Sequence, residues 1–136
     1  MVFEELEHTA DIRMKISAAD LSSLFSESGF ALAKILYGAY PAETPTDAFS
    51  IHAEGKDREE LIVNFLSELL FLTETEYLVP QKFTLSVGDA VCGTVEGVLF
   101  DRKKHAGGTG VKGISYSGLS LTRTKTGYEL IIIFDI

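Results

Sequence analysis

The chain has 136 residues, 46% of them hydrophobic and 24% charged, which suits one domain with a sizeable core. Twelve basic against twenty acidic side chains leave a net charge of −8, which argues against wrapping a polyanion, because nonspecific nucleic-acid affinity comes from Lys and Arg displacing counterions. The acidic start Met1-Val2-Phe3-Glu4-Glu5 lacks a signal-peptide pattern and no apolar run reaches the length of a membrane span, so a soluble, cytoplasmic protein without membrane contact is expected.

In chain order, residues at about 2–8 suggest a short, weakly patterned strand. Ile12-Arg13-Met14-Lys15-Ile16-Ser17 alternates apolar and polar, the signature of a strand with one buried face. Asp20 is placed to cap a helix over about 20–37, whose Leu21, Leu24, Phe25, Leu32, Ile35 and Leu36 share one stripe, with Gly38 at the stop and Pro41 and Pro45 in the loop beyond. Phe49, Ile51 and Ala53 alternate with Ser50, His52 and Glu54 as another half-buried strand. Asp57-Arg58-Glu59-Glu60 has capping-box spacing and opens a helix over about 58–73. The apolar stripe of that helix is broad enough to suggest cover on most sides.

From Lys82 the pattern is β throughout. Phe83 to Val87, a Gly88-Asp89 turn, and Val91 to Phe100 read as a hairpin. A polar, glycine-rich loop from Asp101 to Gly110 follows, then strands at about 111–122 and 128–134. The last of these, centred on Ile131-Ile132-Ile133-Phe134, reads as a strand buried on both faces, and it delivers Asp135 and then the carboxyl end at Ile136. Two helices among several hairpin-linked strands give an α+β single domain over 1–136, with mainly antiparallel pairing.

Common catalytic patterns fail on inspection. Gly107-Gly108-Thr109-Gly110-Val111-Lys112 interposes Val111 between glycine and lysine and leads into a strand, whereas a phosphate-binding loop opens a helix. Gly113-Ile114-Ser115-Tyr116-Ser117 misses the last position of a nucleophile elbow. Cys92, the sole cysteine, forms no internal disulfide and reads as a packed thiol. His52 reads as an exposed strand residue. His105, beside Arg102, Lys103 and Lys104, reads first as a solvated loop tip and otherwise as a contact for an anionic group. Asp11 and Asp135 have plain readings too, one paired with Arg13 or Lys15 and the other a solvated strand end. Should they meet beside the carboxyl end, each pair of charges at ~4 Å and an effective dielectric near 20 would repel by about 4 kcal/mol. A hard cation with oxygen ligands, Ca²⁺ or Mg²⁺, would relieve that.

Glu7-His8-Thr9-Ala10-Asp11-Ile12, Ser67-Glu68-Leu69-Leu70-Phe71-Leu72, Gly108-Thr109-Gly110-Val111-Lys112-Gly113-Ile114-Ser115-Tyr116 and Phe134-Asp135-Ile136 resemble, in order and over nearly the whole chain, the sequence blocks of the archease family. The chain departs from the family pattern at Glu7, Ser115 and Ser117 and keeps it at Asp11, Lys112 and Asp135. The resemblance implies a non-catalytic accessory protein of the RtcB-type RNA ligases of tRNA splicing, which join RNA ends with GTP and Mn²⁺. Such a protein promotes guanylylation and turnover of the ligase, can broaden its nucleotide use, and meets RNA only through it. The resemblance also implies a divalent ion, Ca²⁺ foremost, held by Asp11, Asp135 and Ile136, with Lys112 as a contact to the ligase or its nucleotide; His8 and His105 are further candidates for contact with the partner. The competing expectations are a stand-alone metal-dependent phosphoesterase and an RNA-binding chaperone.

Overall fold

A computed structural model describes residues 11–136; the expected strand at about 2–8 and His8 lie outside the described residues. The elements run β1 (Asp11–Ala18), α1 (Leu21–Tyr37), β2 (Asp47–Glu54), α2 (Arg58–Glu76), β3 (Leu78–Val87), β4 (Ala90–Leu99), α3 (Arg102–His105), β5 (Gly113–Arg123) and β6 (Tyr128–Asp135). They form two antiparallel three-stranded sheets, ordered β1-β6-β5 and β2-β4-β3. Helix α1 lies against β1, β6 and β3, and α2 lies against β2, β3, β4 and β5, so the helix pair is the packing partner that the two sheets share. This is the α+β, mainly antiparallel architecture that the periodicity predicts.

Both long helices start where capping chemistry places them. The Asp20 carboxylate accepts from Ser23 N–H at 2.8 Å, and the Asp57 carboxylate accepts from Glu60 N–H at 2.8 Å. The reciprocal half of the second cap is displaced by one residue, because Glu60 Oε1 accepts from Lys56 N–H at 3.3 Å rather than from the N–H of Asp57. Helix α1 ends at Gly38, whose N–H reaches Lys34 O at 2.8 Å. Helix α2 runs about one turn beyond the expected Thr73 and stops at Tyr77, a residue in the left-handed region at φ 56°. No glycine or proline marks that stop, which is why the sequence pattern undershoots it.

Strand β3 likewise starts earlier than expected, at Leu78, and carries Pro80 within it. That is tolerable because β3 is the outer strand of its sheet and its pairing with β4 shifts between Pro80 and Lys82. Strand β5 has a larger irregularity. Ser115 faces Ile133 and Ser120 faces Ile131, so Tyr116 to Leu119 bulge out of the ladder opposite a single β6 residue.

The core is formed by Leu24, Phe25 and Leu32 of α1, Leu61, Ile62, Phe65, Leu66 and Leu69 of α2, and Leu130, Ile132 and Phe134 of β6, with Phe25 and Phe65 packed 5.5 Å apart between ring centres. Two expectations about burial need correction. Strand β6 is buried on one face only: Leu130, Ile132 and Phe134 point at the helices, while Ile131 and Ile133 are half-buried on the outer face. The β-branched run marks a central strand flanked on both sides, rather than one covered on both faces. Cys92 is exposed rather than packed, because alternation along β4 turns Val91 and Val95 inward and Cys92 and Thr94 outward.

The one-sided burial of β6 has a measurable consequence. Ile132→Ala removes a fully enclosed side chain and should cost about 2–5 kcal/mol in urea unfolding, whereas Ile131→Ala should cost under half as much.

Candidate functional site

The first residue of β1 and the last of β6 meet. Antiparallel pairing sets Asp11 directly opposite Asp135, Ile12 opposite Phe134 and Met14 opposite Ile132. Since Phe134 and Ile132 face the core, strand alternation puts Asp11 and Asp135 together on the outer face, with their Cβ atoms at the cross-strand spacing of roughly 4.5–5.5 Å. On the other side of β6, Gly113 lies opposite Asp135, and Lys112 N–H donates to Asp135 O at 2.7 Å. Asp11 and Lys112 are exposed, and Asp135 and Ile136 are half-buried. Residues at the start, the end and position 112 of the described chain therefore share one end of one sheet.

Neither carboxylate has an ion-pair partner among the described residues. Lys15, one expected partner of Asp11, is instead engaged with Glu129 at 3.4 Å farther along the same face. No group of three His, Cys, Asp or Glu side chains suited to holding a metal occurs among the described residues. A cation here would depend on two carboxylate side chains and main-chain oxygens. That donor set is hard and all-oxygen, which fits Ca²⁺ or Mg²⁺ rather than zinc.

The glycine-rich segment supplies Lys112 through close packing. Thr109 N–H donates to Ile35 O at 2.8 Å, at the C-terminal turn of α1, and a Cβ at Gly108 would overlap the Ile35 and Leu36 carbonyl groups. Val111 is buried, so the segment enters the core before Lys112 emerges at the sheet end. It leads into β5, as expected of a loop that is no phosphate-binding motif.

His105 departs furthest from expectation. It is 1% exposed, so it is neither a solvated loop tip nor a surface free to contact a partner. The segment that holds it folds into α3, which Asp101 caps by accepting from Lys103 N–H at 2.9 Å. Tyr37, Tyr40 and Phe100 surround the ring, at 6.3, 6.1 and 6.1 Å between centres. Its Nδ1 accepts from Asp101 N–H at 2.9 Å and its Nε2 lies 3.0 Å from Glu43 Oε2, while Lys104 Nζ holds Glu43 Oε1 at 2.8 Å. Glu43 is 62 positions from His105, a separation at which spacing carries no signal. The basic run before His105 carries no signal of burial either, since Arg102, Lys103 and Lys104 are themselves exposed. His52 is exposed as expected.

This cluster perturbs its own titration. Hydrogen bonds from Lys104 and then His105 hold the Glu43 carboxyl below its ordinary value of 4.5. Burial pushes Tyr37 and Tyr40 up to about 12; their hydroxyls donate to Leu78 O at 2.9 Å and Pro80 O at 2.6 Å.

What the fold and this end of the sheet define is a small two-sheet α+β protein in which the first and last of the described strands bring two carboxylates to one end of a sheet, with a lysine delivered beside them. The chain belongs to the archease protein family, whose sequence profile matches residues 3–136. The archease-like protein of Drosophila melanogaster is 34% identical, the match covering 100% of this chain and 91% of that protein. The archease of Pyrococcus furiosus is 31% identical over 92% of this chain and 91% of its own. The fold matches the crystal structure of a Thermotoga maritima archease, described as a possible chaperone, with a TM-score of 0.68 at 20% identity, covering 100% of this chain and 98% of that one. It also matches a Methanobacterium thermoautotrophicum solution structure with a TM-score of 0.67 at 18% identity, covering 98% and 96% of the two chains. No helix among the described residues is long and apolar enough to cross a membrane.

Two titrations check the cluster. Of the five tyrosines, Tyr37 and Tyr40 should be the late ones by phenolate absorbance, near 12; the stability tied to their neutral forms is complete below 10.0 and is lost as pH rises through about 12. At the acid end, the contribution of Glu43 is present above 4.5 and is lost as pH falls through its lower folded value, so the melting temperature of Glu43→Gln should fall less steeply with acid than that of wild type.

Proposed function

We propose that this protein is an accessory protein of an RtcB-type RNA-splicing ligase, acting in the cytoplasm to promote guanylylation and multiple turnover of that enzyme without turnover of its own. The observation that carries the reading is the register of β1 on β6, which sets Asp11 against Asp135 next to Lys112 and Ile136. These are the positions at which the chain keeps the family's pattern, and membership in the family supports a role as a partner rather than a catalyst.

The physical chemistry is consistent with that role. A chain at −8 is repelled by free RNA and attracted to a basic RNA-handling enzyme, so complementarity favours docking on the ligase over direct RNA binding. In this reading Asp11, Asp135 and Ile136 hold a divalent ion, Ca²⁺ foremost. The ion supplies the positive charge that lets the carboxylates stand together. Lys112 then presents an ammonium group at the edge of an otherwise anionic end, where it can meet a phosphate or carboxylate of the ligase or its bound nucleotide. The half-buried outer side chains Ile131 and Ile133 give the same face an apolar strip beside the charges.

The test is a guanylylation and multiple-turnover ligation assay with the cognate ligase. Wild-type protein should stimulate both steps. Asp11→Ala, Lys112→Ala and Asp135→Ala should each lower stimulation at least tenfold while circular dichroism stays native. Full stimulation by all three variants would overturn the proposal, and divalent-dependent phosphoesterase activity without any ligase would replace it with an enzyme. Calcium titration of protein lacking Ile136 separates the metal question from the ligase. Affinity should fall by an order of magnitude if Ile136 supplies a ligand, and unchanged affinity would remove it from the set.

A further inference from the structure

His105 has both ring nitrogens committed. Nδ1 faces the main-chain N–H of Asp101 at 2.9 Å, and an N–H can only donate, so Nδ1 carries the lone pair. The ring proton is therefore on Nε2, which donates to Glu43 Oε2 at 3.0 Å. The second oxygen of that carboxylate accepts from Lys104 Nζ at 2.8 Å. One glutamate, in the loop after α1, thus ties down two consecutive residues of α3. Glu43 is held in turn from its own main chain, where its N–H donates to Gln81 Oε1 at 3.0 Å, and Gln81 Nε2 donates to Pro41 O at 3.1 Å. The anchor is a cross-brace between β3, the loop after α1, and α3.

Two residues past this brace the glycine segment begins, and it is clamped a second time where Thr109 meets Ile35 O and Gly108 sits flush on the end of α1. Val111 enters the core, and Lys112 N–H closes on Asp135 O at 2.7 Å. Between His105 and Lys112 there is no regular secondary structure. The position of Lys112 is therefore set by its anchors at either end and by the Ile35 contact between them.

We propose that His105 is a positioning residue: through Glu43 it fixes the loop that carries Lys112 to Asp135, so the geometry of the Lys112–Asp135 end depends on a hydrogen-bonded pair, a buried imidazole and a half-buried carboxylate, at the entrance of that loop. The consequence for ligase stimulation rests on the function proposed above, whereas the mechanical link to Lys112 does not. His105 touches neither carboxylate of the site and acts only through the chain that follows it.

Amide hydrogen exchange by NMR on the full chain tests the link without a ligase. In His105→Ala and Glu43→Ala, the amides of Thr109 and Lys112 should exchange at least tenfold faster, while those of Leu130 and Ile132 in β6 keep wild-type protection. Glu43→Gln keeps an oxygen facing the Nε2–H and should restore most of the protection at Lys112. Wild-type exchange at Thr109 and Lys112 in a folded His105→Ala or Glu43→Ala protein would overturn the inference. Global loss of protection in both variants would also overturn it, because the pair would then hold up the core rather than the loop. In the ligation assay, Glu43→Ala should raise the concentration of accessory protein needed for half-maximal stimulation at least fivefold, with the maximum retained. If the wild-type protein stimulates no ligase but the exchange result holds, the functional reading fails and the positioning role stands.

Discussion

The ladder between β1 and β6 is the constraint on which the candidate site depends. Strand alternation has a period of two, so a slip of one residue in this pairing would turn Ile12, Met14 and Ile16 outward and send the carboxylate of Asp11 toward the helices. The register is held by a row of matched apolar contacts, Ile16 on Leu130, Met14 on Ile132 and Ile12 on Phe134, beneath two helices that touch both sheets. Burying that row is worth several kcal/mol by ordinary transfer energetics. Bringing the exposed Asp11 and half-buried Asp135 carboxylates together near the surface opposes it by less than the summed burial of that row, so packing wins and the charges follow. The acidic end is a by-product of a hydrophobic register.

The remaining anchor works by a different principle. Lys112 is not delivered by a strand's own alternation, since it precedes β5, but by a loop with little side-chain volume of its own. Glycine at 108 lets that loop lie against exposed carbonyls at the end of α1, where any larger residue would hold it away. Close approach of backbone to backbone replaces the packing that a glycine-rich segment lacks. The aromatic surround of His105 plays the same part at the loop's entrance, excluding water from the imidazole side of its hydrogen bond with Glu43.

The sequence was most legible where one local rule acts alone. Asp20 and Asp57 announce their helices through cap chemistry, and the alternation from Ile12 to Ser17 announces β1 together with its buried face. It was least legible where tertiary partners decide. Tyr77 ends α2 in a left-handed conformation with no glycine to signal it, and Pro80 sits inside β3 because that strand happens to be an edge. The run Ile131 to Phe134 looked covered on both faces because the same residues suit a central strand with one open face. For the candidate site, the residue types were visible at Asp11, Lys112 and Asp135, but not the register that gathers them. His105 was misjudged because its partner Glu43 lies across the chain and its neighbours are cations that do sit in water.

The bulge in β5 bears on how readily another strand could pair with this sheet. Among the described residues β5 is an outer strand of its sheet, and a straight edge invites another chain to add a strand. Between Ser115 and Ser120 that edge is interrupted by four residues facing one on β6, with Tyr116 projecting into solvent. An incoming strand would meet two short stretches out of step with each other instead of one continuous template. The polar end of the sheet can thus remain open to a specific partner while the adjoining edge resists indiscriminate pairing.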